Sequence, residues 1–226
     1  MASERGVPAR LAQAVREDLE PVRPALRPRR WVWTALLFCL PVAGVYFLLG
    51  LRADAGRVGR WLLWGGSLAQ IALGLVFAWA TLELAIPKVR RLAWKAPLAA
   101  ALAVLWLAGL TAVTWRTSPG HAPAGGELFY WWICFSGPTL LGLPLLAFLL
   151  ALASRARALR PQLVGACAGL ASGLLIDAFW RTYCSVSALG HVFGAHLLAV
   201  LTLTAVGFAA GAVQRRRTLH DSGAVR

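Results

Sequence analysis

The sequence predicts an all-α polytopic membrane protein, a bundle of six transmembrane helices. Three observations predict it: 59% of the 226 residues are hydrophobic, only 14% are charged, and mean hydropathy is +0.65. A soluble globule carries roughly 45–50% apolar residues, and a bilayer crossing takes about 20 of them in succession. Apolar runs of that length recur at about 31–50, 61–86, 97–115, 131–153, 163–183 and 191–213, joined by short connections. No sizeable soluble domain fits between them. The net charge of +14 does not imply a nucleic-acid face, because the basic residues punctuate the apolar runs instead of gathering on one surface.

Residues 1–30 carry seven basic and four acidic residues and form a tail before the first span. Leu11, Val15 and Leu19 share one helical stripe, with Arg16, Glu17, Asp18 and Glu20 polar around them. Pro21, Pro24 and Pro28 forbid continuation, so the tail is a short amphipathic helix followed by a Pro-rich connector. Such a helix is marginal alone, and its stripe needs a surface. Two surfaces serve: the bilayer interface, with arginines against headgroups, or a groove in a soluble partner. A cleaved export signal ending at Ala53-Asp54-Ala55 is disfavoured by the long charged leader.

The domain 31–213 holds the six spans, and residues 214–226 form a basic tail. In the fifth span Gly165, Gly169 and Gly173 recur every four residues, the spacing that lets backbones approach where lipid gives helices no hydrophobic reason to associate. The same step reaches Asp177 and Arg181, an i, i+4 ion pair within the membrane. Such a pair is either structural, facing the bundle interior, or part of a gate or proton relay. Gly207 and Gly211 repeat the small-residue spacing in the sixth span, a weak signal in an Ala/Gly/Leu-rich run.

Positively charged loops resist translocation. With an inside amino terminus, 18 of the 23 Lys and Arg fall on the inner side and five on the outer side, so both termini are expected in the cytoplasm. Nine of the eleven tryptophans, Trp180 among them, fall near span ends, where an amphipathic ring sits at headgroup level.

The spacing of Cys39, Cys134, Cys167 and Cys184 matches no zinc or C-x-x-C pattern. Topology discriminates better. The fourth span runs outside to inside and the fifth returns, so Cys134 and Cys184 face one outer compartment, while Cys39 and Cys167 read as small buried apolar residues. Cys134 and Cys184 are therefore expected to be a functional pair, either a reversible disulfide or thiolate ligands of a thiophilic metal. Two unrelated thiols or a purely structural bridge is the alternative. His121 and His191 lie on the same side and are candidates to complete a metal site. No resident cofactor is expected, and transient heavy-metal binding at these residues is the exception.

Several segments carry a resemblance to a known family. REDLEPVRPALRP in the tail resembles the amino-terminal segment of the NrsF family, six-span inner-membrane anti-sigma factors. GLRADAG resembles its loop after the first span, and CFSGPTLLGLPLLAFLLAL its fourth span opening with cysteine. RPQLVGACAGLASGLL and YCSVSALGHVFGAHLL resemble its Gly-rich fifth span, outer cysteine and last span. The resemblance implies a protein of the bacterial inner membrane that holds an extracytoplasmic-function-type sigma factor inactive and releases it under heavy-metal or oxidative stress. It also implies Cys134 and Cys184 as the sensor. The partner contacts are expected on the tail residues Leu11, Val15, Asp18, Leu19, Pro21, Val22, Arg23 and Pro24, with the basic inner loops as a further candidate surface, and with no direct contact to nucleic acid.

The alternative class is a small transporter or channel subunit using Asp177, Arg181 and His196. No span carries the several polar groups that normally line a substrate path, and no inverted repeat is visible. An enzyme is not expected, because no histidine pair, Ser/His set or metal motif recurs at helical spacing.

Overall fold

The computed structural model describes residues 50–86, 95–117, 125–156 and 158–223, together with Gln13 and positions 32–35, 37, 40, 44 and 48. All regular structure among the described residues is helical. After the one-turn helix α1 (Ala55–Val58), Gly59 at φ +82° turns the chain in the left-handed region open to glycine. Helix α2 (Trp61–Ala85) follows, its first five residues wound as a π-helix. Then come α3 (Lys95–Thr117), α4 (Glu127–Ala153) and α5 (Pro161–Tyr183). Helix α6 starts at Leu189–His191, continues as a π-helix over Val192–Leu197 and ends as Leu198–Gly223.

Helices α2 to α6 contain five stretches long and apolar enough to cross a membrane. They occupy the places of the second to sixth expected spans. The first, at 31–50, lies mostly outside the described residues, and its described positions between Val32 and Leu48 are helical. Helix α4 opens at Glu127, ahead of the apolar run, because a carboxylate in the first turn suits the positive end of the helix dipole. Helix α5 opens with proline at its first position, where the missing N–H costs nothing.

Helix α5 is the centre of the bundle: 83% of its membrane window is buried, against 22% for α3. Leu174, Leu175, Ile176 and Asp177 are fully enclosed. Glycine makes this possible. In the antiparallel pair α5 and α6, Gly165 meets Gly207, Gly169 meets the backbone of Leu203 and Thr204, and Gly211 meets the Pro161 carbonyl. A Cβ at any of these would run into the partner's main chain, which cannot yield as a flexible side chain can. Gly173 faces Val200, Gly74 receives Leu175 from α5, and Gly137 receives the Trp180 ring. Gly169→Val is therefore expected to destabilise the bundle by at least about 1–3 kcal/mol, the usual cost of forced overpacking. Unfolding in mixed detergent micelles measures it. Val200→Ala, across the same interface, removes only side-chain bulk and serves as the milder comparison.

Helix α4 contains Pro138 and Pro144. Pro138 removes the N–H that would bond the carbonyl of Cys134, four residues earlier. Around this gap the Ser136 and Thr139 hydroxyls each donate to a carbonyl four residues back, at 2.6 Å. Hydroxyls of this kind help membrane helices tolerate proline.

Candidate functional site

One end of the bundle gathers four chemistry-bearing residues from three helices. Cys134 lies two turns into α4, Cys184 follows the last turn of α5, and His191 and His196 occupy the start of α6. All four side chains are buried, and one ligand atom from each lies within 4.8 Å of the others. Cys134 Sγ is 3.5 Å from Cys184 Sγ, and Cys184 Sγ is 3.5 Å from His191 Nε2. Cys134, Cys167 and Cys184 are free thiols, and Cys167 packs in the apolar core away from the other two.

The two histidines share a face because of the local winding. On a regular α-helix, residues five apart stand about 140° from each other. The π-helical turn over Val192–Leu197 closes on i→i+5 hydrogen bonds. It brings the rings of His191 and His196 to 5.4 Å between centroids.

Below this cluster lies a buried polar network centred on Asp177. Its carboxylate accepts from Gln70 Nε2 at 2.8 Å, from Arg181 Nε at 2.9 Å and from His196 Nδ1 at 2.7 Å. An ionised carboxylate only accepts, so the His196 proton sits on Nδ1. Nε2 of that ring is buried and has no hydrogen-bond partner among the described residues. Gln70 also donates to the Leu174 carbonyl, and the Arg181 guanidinium reaches the Thr111 hydroxyl. The i, i+4 pair of Asp177 and Arg181 is thus one part of a larger set joining α2, α3, α5 and α6. These groups turn towards one another, as buried charges must when no water can solvate them.

Trp180 points inward. Counted from sequence as part of an interfacial belt, it is only 8% exposed. Its indole N–H donates to Cys134 Sγ at 3.2 Å, and its ring fills the space that Gly137 leaves. Across the same end, the loop after the first expected span clamps the segment carrying Cys184: the Arg52 amide donates to the Thr182 carbonyl and its guanidinium to Asp54 and Ser187 Oγ. A cavity of about 30 Å³, bordered by Arg52, Ser67, Thr111, Cys184 and His196, lies beside the cluster and has room for a water.

The Cys184 thiol is held well below its ordinary pKa. The hydrogen bond from Cys134 is the main cause, burial opposes it, and the neighbouring His191 and His196 imidazoles add to it.

The structure therefore brings together Cys134, Cys184 and His191 of the expected sensor and metal residues, joins them to His196, which the sequence groups only with Asp177 and Arg181, and adds Gln70, Trp180 and Arg52. Gly165, Gly169 and Gly173 line the α5 and α6 contact. His121, Cys39 and the tail residues Leu11, Val15, Asp18, Leu19, Pro21, Val22, Arg23 and Pro24 lie outside the described residues.

A family model described as NrsF, negative regulator of sigma F, matches residues 16–216. Neither the curated proteins nor the solved structures contain a match.

Proposed function

The chain belongs to the NrsF family, the negative regulators of sigma F, and from that membership we propose that it is an inner-membrane anti-sigma factor controlled by Cys134 and Cys184. Its partner is a sigma factor of the extracytoplasmic-function type. The inducing stress is an oxidant or a thiophilic metal reaching the outer end of the bundle. Both termini lie in the cytoplasm, and the tail residues Leu11 to Pro24 bind the partner. The observation that carries this reading is the 3.5 Å contact between two buried thiols that lie 50 residues apart in sequence.

A thiol pair in contact has two ways to report stress. Oxidation removes two protons and two electrons, passed to the oxidant, and joins the sulfurs covalently. A soft cation instead displaces the two protons and is held between two thiolates. Either change pulls the outer part of α4 against the end of α5. Helix α5 meets α6 backbone to backbone, so the shift is passed on rather than absorbed by side chains. Pro138 gives α4 a place to yield, one turn below Cys134. At the inner ends the moving helices carry Arg155, Arg160, Arg215 and Arg216, beside which the tail holds its partner.

Co-purification tests the partner. The full chain in detergent is expected to retain the sigma factor when reduced, and the chain lacking residues 1–30 to lose it. Retention by the truncated chain would reassign binding to the inner loops, and no retention by the full chain would end the proposal.

A further inference from the structure

We propose that Cys134, Cys184, His191 and His196 form a tetrahedral site for a zinc-type divalent cation, with Asp177 as the carboxylate that orients His196. The site rests on the sensor reading for its biological use but not for its existence. Four donors of the right chemistry converge, two sulfurs and two imidazole nitrogens, the set that suits Zn²⁺ and its soft analogue Cd²⁺. Ligands at about 2.0–2.3 Å from a tetrahedral ion stand roughly 3.3–3.8 Å from one another. The two ligand-to-ligand distances on either side of Cys184 are both 3.5 Å.

His196 supplies an independent observation. It is 1% exposed, Nδ1 is committed to Asp177, and Nε2 is left with no hydrogen-bond partner among the described residues. A buried ring nitrogen without a partner is costly, and a cation between the two sulfurs and His191 would bind Nε2 in its deprotonated form. The carboxylate–histidine–metal relay is the usual way a protein fixes the tautomer and raises the basicity of a ligating imidazole. Here the carboxylate is itself held by Arg181 and Gln70. Trp180 donates to the Cys134 sulfur and supports a thiolate there.

Charge also balances. On binding, each thiol loses its proton to solvent, the imidazoles bind neutral, and two thiolates cancel the dication. The ligand shell is then neutral, as an enclosed position near the membrane requires. Because α4, α5 and α6 each supply ligands, occupancy would fix the outer ends of three helices relative to one another.

The test is titration of the reduced full-length chain in detergent with Co²⁺, a tetrahedral reporter for zinc sites, followed by displacement with Zn²⁺ or Cd²⁺. One cobalt per chain is expected, with thiolate-to-cobalt charge transfer and the strong visible bands of tetrahedral coordination. Cys134→Ser is expected to roughly halve the charge-transfer intensity, since Cys184 remains as a thiolate ligand, and His191→Ala and His196→Ala to shift the visible bands. Asp177→Asn is expected to weaken affinity about tenfold to a hundredfold while the ligand set persists. His191→Ala leaves the Asp177 network intact, so it tests the ligand set even where the His196 variant folds poorly. A reduced wild-type chain without tetrahedral cobalt bands, or bands unchanged in both histidine variants, would overturn the site. Sigma-factor retention in the same samples separates the two readings. Metal bound with the partner still held counts against the sensor role alone, and oxidant-driven release from a chain that binds no cobalt counts against the metal site alone.

Discussion

Asp177→Ala is expected to destabilise the folded bundle by about 3–5 kcal/mol, the range for removing one member of a buried ion pair. Three donors lose their acceptor together: Gln70 Nε2, Arg181 Nε and His196 Nδ1. Among the described residues the Arg181 guanidinium then retains only the long contacts to Thr111 Oγ1, at 3.3 and 3.4 Å. With its side chain 13% exposed, it has little water to take the carboxylate's place. Asp177→Asn keeps one acceptor oxygen and the shape while losing the charge, so a smaller loss is expected. Unfolding of purified protein in mixed micelles measures both. A loss below about 1 kcal/mol for the alanine variant would mean that solvent or lipid headgroups satisfy Arg181, and that the network is less closed than its geometry indicates.

The second large effect concerns the response to stress. The double variant Cys134→Ser, Cys184→Ser is expected to keep its sigma factor bound in the presence of the inducer. Moving a partner from 1:99 to 99:1 free takes a bias of about 5.5 kcal/mol between two states. A new covalent bond or a metal held by several ligands supplies a bias of that kind, whereas two serines cannot be joined by an oxidant and are poor ligands for a soft cation. Transcription from a sigma-dependent promoter should rise by up to about a hundredfold on induction in wild type. In the double variant it should stay at its repressed level. Serine nearly preserves the shape of cysteine, and membrane abundance of the variant checks that the fold survives. Full induction in the double variant would remove the sensor assignment.

Much of this fold is legible in the sequence, because a bilayer demands long apolar runs and arginine interrupts them. The runs at 61–86 and 163–183 differ by one or two residues from α2 and α5, and only α4 starts notably early, at Glu127. What periodicity does not reveal is which faces meet. Gly207 and Gly211 look ordinary in an Ala/Gly/Leu-rich helix, yet they face Gly165 and Pro161. Gln70 is one of a few polar residues in the run 61–86, and its partner Asp177 lies 107 residues away. Topology alone places Cys134 and Cys184 at one rim. His196 is hidden for a local reason: on a regular helix it would point away from His191, and a π-turn is not written in hydrophobic spacing. Trp180 follows the belt rule by position and departs from it by packing, since the glycine that admits its ring, Gly137, sits on another helix.

The most direct test is sigma-factor affinity measured on the full-length chain in lipid nanodiscs, reduced and then treated with an oxidant or Cd²⁺. The predicted result is tight binding by the reduced protein, at least about a hundredfold weaker binding after treatment, which is roughly half the bias of a full switch, and no change in the double cysteine variant. Equal affinity before and after treatment in wild type, or the same loss in the variant without the two thiols, would contradict it.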